Sequence, residues 1–373
     1  MAEYYSNSIG GSKRKGFRSR SRGEILLFLL DAFMTLAMLF FAFCTISIIV
    51  CQHVSPEESG LLSVISLGAP IIYLLDIAIM LYWIVRWRWY RATLMIAIVV
   101  VGLFYVSRYY KIGFARQYDI VYDEREYTKV MTYNVLVGKS PDLVDYVEKH
   151  NPDVLCLQEI DTNSDTWTKL AEKYKTTKSE LEEEKSDNQI LSKYPILRSG
   201  EVDGLSRTNG IWADLQIEDD TVRVVSLHLQ STSIRPEDTQ FLEGHEYLHD
   251  KERDDKMRSI IVRLRDNNRA RAVQAESVAA FLESTPHKII VCGDFNDVPL
   301  SYTYYTIANN LDDTFSKMAN GFAYTYNTKY HLLRIDHILV SPSIEVASYE
   351  VDNEVELSDH YPVISRVKIA TNL

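Results

Sequence analysis

The sequence predicts an α/β domain with a β-sheet core, preceded by about three membrane-spanning helices. Two observations support this prediction. Long apolar stretches are confined to residues 1–107 of the 373-residue chain. After them, short apolar runs of strand length alternate with segments whose apolar residues have helical spacing, which is typical of a sheet covered by helices.

Three apolar stretches are candidate membrane spans: residues 24–51, 60–87 and 92–107. The first two exceed the roughly 20 residues that a helix needs to cross a bilayer, and the third is shorter. A cleaved signal peptide is the competing interpretation of the first stretch. That stretch is too long for a signal-peptide core, and 23 residues precede it, so we favour a span. Asp31 and Asp76 lie within these stretches, and we interpret both as structural.

Basic residues indicate the orientation, because Lys and Arg concentrate on the cytoplasmic side of membrane proteins. The tail, residues 1–23, carries six of them, whereas the loop at 52–60 has none. Arginines and tryptophans cluster at 86–91, as expected at a cytoplasmic interface. Three spans then place the domain at 115–373 outside the cytoplasm. Three basic residues oppose this topology: Arg108, Lys111 and Arg116. If the third stretch only lies in the interface, the domain is cytoplasmic instead.

The domain at 115–373 is acidic, with 29 Lys and Arg against 45 Asp and Glu, a net charge of −16. Duplex DNA binding depends on many cationic contacts to phosphate, so this balance disfavours duplex DNA as a partner. The four cysteines show no CxxC spacing. We therefore predict buried free thiols in the domain rather than a disulfide framework or a zinc site.

The domain contains six predicted strands and three predicted helices. The strands are residues 129–136, 153–160, 221–230, 288–297, 333–341 and 363–370. The helices are residues 140–151, 166–175 and 269–285. Residues 232–268 form the most charged insertion.

Polar residues repeatedly follow or adjoin these strands. They are Asn134, Glu159, His228, Asp294, Asn296, Asp336, Asp359 and His360. A single Asp or Asn in such a place is often a turn former. Six separate stretches in one chain are harder to explain by turns, and active sites of α/β proteins are built at strand ends.

The motifs MTYNV, DVLCLQE, VVSLHLQ, VCGDFND, RIDHILV and LSDHYPV resemble the ordered signatures of the endonuclease/exonuclease/phosphatase superfamily. This superfamily includes DNase I-like nucleases, inositol polyphosphate phosphatases and sphingomyelinases. The resemblance extends from residue 128 to about 369 and implies a four-layered αββα sandwich with one metal-dependent phosphoesterase site. The sequence departs from the pattern at Asp187-Asn188-Gln189, where a glycine- and asparagine-containing strand is usual. Asn188 is a candidate substrate contact.

The resemblance also implies a metal site. Glu159 is the principal Mg²⁺ ligand, helped by Asn134 and Asp359, and Mn²⁺ is an alternative ion. Oxygen ligands of this kind suit a hard cation that also contacts substrate phosphate.

The remaining roles are implied by the same resemblance. Asp294 orients or deprotonates the attacking water, and Asn296 hydrogen-bonds the phosphoryl oxygens. Asp336 holds His360 and favours its charged form. His228 and His360 share two interchangeable roles, which are to stabilise the pentacovalent state and to protonate the leaving oxygen.

Residues 245–249, HEYLH, fit the H-E-x-x-H pattern of zinc metalloproteases. The motif lies inside the charged insertion of a different fold and has no convincing third ligand downstream. We interpret it as a solvated helix face or a lid segment.

These observations predict a membrane-anchored, metal-dependent phosphoesterase. Its partners are a phosphoester substrate, such as a lipid head group or a small phosphoester, and the bilayer that holds the N-terminal helices. A DNase-type nuclease is the first alternative, which the acidic surface opposes. A catalytically silent binding module is the second, and the intact set of polar motif residues opposes it.

Overall fold

A computed structural model describes residues 21–111, 126–138, 140–177, 187–233, 237–238, 241, 250–327 and 332–369. The basic tail up to residue 20 and the HEYLH motif at 245–249 lie outside the described residues. We call residues 21–109, up to the end of the turn after α4, the helical region and residues 126–369 the sandwich domain.

The helical region contains α1 (Arg22–Cys51), α2 (Gly60–Leu67), α3 (Ala69–Val85) and α4 (Trp89–Val106). The sandwich domain adds α5 (Asp142–His150), α6 (Asp165–Lys173), α7 (Asp250–Glu283), α8 (Tyr302–Ile307) and α9 (Thr314–Met318). The strands are β1 (Tyr110–Lys111), β2 (Thr128–Val137), β3 (Val154–Ile160), β4 (Lys175–Thr176), β5 (Gln189–Ser192), β6 (Ile196–Glu201), β7 (Gly210–Ile217), β8 (Asp220–His228), β9 (Lys288–Asp294), β10 (Asp312–Asp313), β11 (Gly321–Phe322), β12 (Asp336–Val340), β13 (Ile344–Val351) and β14 (Val363–Ile369).

Helices α1, α3 and α4 pack together around Trp83 and Met95, which are fully buried. Among the described helices, α1 and α4 are long and apolar enough to cross a bilayer, while α3 has 17 residues. Only 28% of the most apolar part of α1 and 22% of that of α4 are buried. Most of their apolar side chains therefore face outward, as lipid-exposed side chains do. By length and composition, α1 also fits a signal sequence.

The predicted span 60–87 is not one helix, which corrects the sequence-based interpretation. The helix is interrupted at Gly68, two residues before Pro70. Proline has no backbone N–H to donate, so it is found in the first turn of a helix and not in its interior. The first half, α2, packs on α7 of the sandwich domain, where the Asn268 amide donates to the Ser63 hydroxyl at 2.9 Å. Val64 and Leu67 of α2 are half-buried against an apolar cluster that contains Ile260 and Leu264 of α7, so this half of the predicted span packs on protein.

The two acids of the helical region have partners within the protein. Asp31 accepts hydrogen bonds from Tyr82 at 2.7 Å and Arg86 at 3.0 Å. Asp76 is fully buried and accepts a hydrogen bond from Thr45. These contacts support the structural interpretation of both residues.

The sandwich domain contains two six-stranded sheets packed face to face. Their strand orders are β13-β14-β2-β3-β5-β4 and β10-β12-β9-β8-β7-β6. Buried residues from both sheets form one core between them. Helices α5 and α6 cover the outer face of the first sheet, and α7 and α8 cover that of the second. The predicted α/β sandwich is confirmed, and all six predicted strands are present.

Cys156 of β3 and Cys292 of β9 meet in the core between the sheets. Both are fully buried free thiols, and their sulfur atoms lie 3.1 Å apart. The prediction of buried free thiols is therefore confirmed.

Strand direction brings the functional residues together. β2 runs parallel to β3 in the first sheet, and β8 runs parallel to β9 in the second. The carboxyl ends of all four strands meet at one edge of the sandwich. The candidate site lies at this edge.

Candidate active site

Asp294, the last residue of β9, lies at the centre of the site. Its neighbours in the sheet are His228 of β8 and Asp336 of β12. The preceding Gly293 has φ 134°, and a Cβ atom there would lie 2.0 Å from the Leu227 carbonyl oxygen. Only glycine permits this close approach of β9 to β8.

The Asp294 carboxylate is buried and fixed by three donors. Oδ1 accepts from the Asn296 backbone N–H at 2.7 Å, and Oδ2 accepts from the amides of Asn296 at 3.1 Å and Asn134 at 3.2 Å. The Asn296 amide also donates to the Leu229 carbonyl at 3.0 Å. Both N–H groups of that amide are therefore used within the protein. Asn296 orients Asp294, whereas the sequence predicted contact with phosphoryl oxygens.

His360 lies between two carboxylates. Its Nδ1 is 2.9 Å from Asp336 Oδ2, and its Nε2 is 3.7 Å from Asp294 Oδ2. Burial opposes the charged imidazole, but the negative charges of Asp336 and Asp294 outweigh it and raise the pKa of His360 to about 10. Burial raises the pKa of Asp336 to about 6, with the charge of His360 opposing the rise. At neutral pH the pair is an imidazolium and a carboxylate.

Glu159 is the accessible carboxylate of the site, with 31% of its side chain exposed. It has φ 56°, in the left-handed region. Its Oε1 accepts from the Asn134 amide at 3.0 Å and lies 3.5 Å from His228 Nε2. An accessible oxygen donor suits a hard cation such as Mg²⁺. Asn134 presents its NH₂ group here, so its amide must turn before its oxygen can serve as a ligand.

Asp359, the third predicted ligand, is partly buried beside Asn134. The Ser358 hydroxyl lies 3.3 Å from Asp359 Oδ1 and donates to the Asn134 carbonyl at 2.7 Å. Burial and the negative charges of Asp359, Asp294 and Glu159 raise the pKa of Tyr326. The structure thus brings Asp359 to the same site.

Asp294, Asp336 and His360 also form a compact group whose candidate ligand atoms lie within 4.8 Å of one another. Nδ1 of His360 is already used by Asp336, and a protonated imidazole cannot bind a metal. This group is therefore a poor cation site, and the expected ligation by Glu159 and Asp359 stays a prediction.

His228 completes the set. Its backbone is held by Asn209, whose carbonyl accepts from the His228 N–H at 3.0 Å and whose amide donates to the His228 carbonyl at 2.8 Å. Its Nδ1 has no hydrogen-bond partner among the described residues. The backbone at His228 is therefore held in place, and Nε2 of the ring faces Glu159.

Asn188 does not face the site. Its side chain is fully buried, accepts from the Ser226 hydroxyl at 2.6 Å and donates to the carbonyls of Ser226 and Thr208 at 3.1 and 3.2 Å. It supports β8 beneath His228, so the proposed substrate contact is replaced by a structural role.

The sequence interpretation missed Tyr326, whose ring centroid lies 4.9 Å from that of His360. The available signal was the alternation of aromatic residues in GFAYTYN, residues 321–327. It also missed Thr325, whose hydroxyl accepts from the Ile335 and Asp336 N–H groups at 2.9 and 3.0 Å and fixes the start of β12.

Two family models match the chain. Residues 131–360, more than half of the chain, match the model described as Endonuclease/Exonuclease/phosphatase family. Residues 31–109 match a Domain of unknown function (DUF8431). No curated protein matches the chain.

Solved structures with a similar fold include three with named activities or ligands. The human Nocturnin catalytic domain with bound sulfate is 17% identical, with 65% of this chain and 94% of that chain covered and a TM-score of 0.44. The D. rerio TDP2 complexed with single strand DNA product is 14% identical, with coverage of 65% and 98% and a TM-score of 0.47. The Bacteroides thetaiotaomicron mannosyl-6-phosphatase is 17% identical, with coverage of 64% and 99% and a TM-score of 0.43.

Proposed function

The chain belongs to the endonuclease/exonuclease/phosphatase family and is a phosphoric ester hydrolase, and we propose that it is a membrane-anchored, divalent-metal-dependent enzyme of this class. One observation carries the proposal. Asp294 is held by Asn134 and Asn296 and faces a charged His360, while the accessible Glu159 lies beside it. This is an arrangement for in-line attack of water on a phosphoester.

Asp294 orients the attacking water and accepts its proton. Its three hydrogen-bond donors fix the carboxylate, so no reorganisation is needed as the reaction proceeds. A covalent nucleophile is not required for this chemistry.

The two histidines take different roles. His360, with a pKa of about 10, stays protonated at neutral pH and stabilises the negative charge that develops on the phosphoryl oxygens. A group with so high a pKa is a poor proton donor at neutral pH. We therefore assign protonation of the leaving oxygen to His228, which is partly exposed beside Glu159.

Glu159 and Asp359 would hold the metal ion, Mg²⁺ or Mn²⁺. When bound, the cation supplies positive charge that polarises the phosphoryl group and lowers the pKa of bound water. Asn134 keeps the Glu159 and Asp294 carboxylates close to each other.

The helical region is proposed to anchor the enzyme through α1, α3 and α4, with the N-terminus in the cytoplasm and the sandwich domain outside. The end of α1 and the turn after α4 both meet the segment that follows the active-site Asn296. Cys51 donates to the Leu300 carbonyl at 3.4 Å, and Arg108 donates to the Pro299 carbonyl at 3.3 Å. The active site therefore lies close to the membrane surface, which favours a lipid head group or a small phosphoester near the bilayer. The net charge of −16 opposes the alternative of a DNase-type nuclease.

The test uses the full-length protein in nanodiscs with bis-p-nitrophenyl phosphate, inositol phosphates and plasmid DNA, each with Mg²⁺ or EDTA. We expect Mg²⁺-dependent turnover that Glu159→Ala and His360→Ala both abolish. His287→Ala, a histidine on the far side of the sandwich domain beside Asp214, is the matched control and should retain activity. A folded protein without turnover on any substrate would support the silent binding module instead.

A further inference from the structure

A two-stranded ribbon lies directly after α4. β1 and β11 pair antiparallel, with Tyr110 opposite Phe322. Both rings are exposed, Tyr110 to 49% and Phe322 to 38%. Tyr110 follows the last residue of α4, Val106, by four positions. Exposed aromatic rings at the end of an apolar helix are typical of the interface between membrane and water.

The chain continues from this ribbon to the active site. Phe322, Tyr324 and Tyr326 alternate along one extended segment. The ring centroids of Phe322 and Tyr324 are 6.2 Å apart, and those of Tyr326 and His360 are 4.9 Å apart. An aromatic strip therefore leads from the end of α4 to a catalytic histidine.

The inner end of the strip also contacts the helical region. Tyr326 packs against an apolar cluster that includes Ile48 of α1, Ala69 of α3 and Tyr109 after α4. This cluster is buried, so it fixes the inner end of the strip to the helical region by core packing. A ligand with apolar chains would approach His360 along the partly exposed rings of the strip itself.

Basic charge accompanies the ribbon. Lys111 of β1 has no ion-pair partner among the described residues. Arg108, which also opposes the usual charge distribution of membrane proteins, lies on the same short connection. Basic groups beside a membrane surface attract anionic lipid phosphate. Lys111 can therefore take such a phosphate as its partner, whereas the Arg108 guanidinium already donates to the Pro299 carbonyl.

We propose that the strip formed by Tyr110, Phe322, Tyr324 and Tyr326 docks on the bilayer surface and delivers a phospholipid to His360, so that the substrate is a membrane phosphoester. The proposal rests on the proposed hydrolase function and names its substrate class. The water oxygen forms the new bond to phosphorus and gives a proton to Asp294, while the phosphoester bond breaks and the leaving oxygen takes a proton from His228.

The activity test uses full-length protein in nanodiscs whose phospholipids are phosphatidylcholine, phosphatidylethanolamine, phosphatidylglycerol, phosphatidylinositol and sphingomyelin. Product release from these lipids is compared with turnover of soluble bis-p-nitrophenyl phosphate. Tyr110→Ser and Phe322→Ser should lower kcat/KM on lipid by about tenfold and change soluble turnover by less than about twofold. Leu197→Ser is the matched control. Leu197 is 51% exposed on β6, at the opposite edge of its sheet from β10, and its replacement should leave turnover of both substrate types unchanged.

A second measurement does not depend on activity. A nitroxide attached at Phe322→Cys should be accessible to oxygen dissolved in the bilayer, whereas one at Leu197→Cys should be accessible to a water-soluble nickel complex. The four native cysteines are buried and should stay unlabelled. A water-exposed label at 322, or turnover of the soluble ester with none of any lipid, overturns the lipid proposal. If the wild-type protein hydrolyses neither the lipids nor the soluble ester, the hydrolase function itself is refuted.

Discussion

Arg334, which is fully buried, donates a hydrogen bond to the main-chain carbonyl of Arg108, just beyond the end of α4, at 3.1 Å. The same nitrogen donates to Asp313 at 2.9 Å, and a second one donates to Nδ1 of His337 at 3.1 Å. Asp336 lies between Arg334 and His337 in the sequence. One guanidinium therefore joins a strand of the active site to the helical region.

Replacing Arg334 should strongly destabilise the protein. Arg334→Met leaves the buried carboxylate of Asp313 without its cation, which typically costs about 3–5 kcal/mol. Arg198→Met is the control, because this side chain is 66% exposed and Arg223 still pairs with Asp214, so about 1 kcal/mol or less is expected. Thermal unfolding of the full-length protein in detergent measures both. Equal effects of the two substitutions would contradict the predicted difference.

His337 should make the protein less stable in mild acid. Burial and the charge of Arg334 lower its pKa to about 3, while its Nε2 lies 3.2 Å from the Asp297 carbonyl. Below pH 6.5 the unfolded chain binds a proton that the folded chain cannot bind, so stability falls with pH. Between pH 6.5 and 4.5 the loss is about 2–3 kcal/mol. The raised pKa of His360 affects stability at higher pH. Its stabilising contribution is lost as the pH rises from 6.5 to about 10.

The measurement is the free energy of unfolding at several pH values for the wild type and His337→Gln. The slope between pH 6.5 and 4.5 should be smaller in the variant. An unchanged slope would show that His337 is not the group responsible.

Gly293 should not tolerate a side chain. Gly293→Ala combines a backbone conformation that L-residues avoid with a collision against the Leu227 carbonyl, and at least about 3 kcal/mol of stability should be lost. Gly321→Ala is a close control, because Gly321 also has positive φ but no atom within 4 Å of the added Cβ. That change should cost about 1–2 kcal/mol. Chemical denaturation distinguishes the two variants, and similar losses would argue against crowding at β8.

Asp336 should affect the chemical step more than substrate binding. Asp336→Asn removes the carboxylate that orients His360 and balances its charge, and kcat should fall by about 10²-fold with little change in KM. Steady-state kinetics with a soluble ester provides the measurement. A rise in KM at constant kcat would assign Asp336 to binding instead.

Glu159 should control the metal requirement. Glu159→Gln should raise the Mg²⁺ concentration for half-maximal activity by at least about tenfold, because a neutral amide replaces a carboxylate ligand. Titration of the EDTA-treated enzyme with Mg²⁺ tests this. Glu201→Gln, on the edge strand β6, should leave the titration unchanged.

The sequence predicted six of the interior strands, because they are buried on both faces and therefore appear as continuous apolar runs. β6 and β13 were not predicted, since each lies at a sheet edge and exposes polar residues along its length. The interior strand β7 was also missed, since Asp214 and Gln216 interrupt its apolar run. Hydropathy also suggested one span at 60–87. The apolar residues of α2 have the same hydropathy whether they pack against α7 or face lipid, so hydropathy cannot distinguish the two.

The eight predicted site residues lie at one edge of the sandwich, although the role of Asn296 differs from expectation, and the further candidate Asn188 does not face the site. The roles of Asn296 and Asn188 depend on partners such as Leu229 and Ser226, which are distant in sequence. Likewise, the contact of Arg334 with Arg108 joins residues 226 positions apart. Such tertiary hydrogen bonds leave no local pattern in a single sequence.

The break at Gly68 also has a consequence for protein engineering. Because α2 packs against Ile260, Leu264 and Asn268 of α7, a substitution on either side alters the surface that the other must fit. The helical region and the sandwich domain should therefore not be exchangeable independently of each other. Joining this hydrolase to an unrelated helical region would leave an apolar patch and a buried amide without their counterparts.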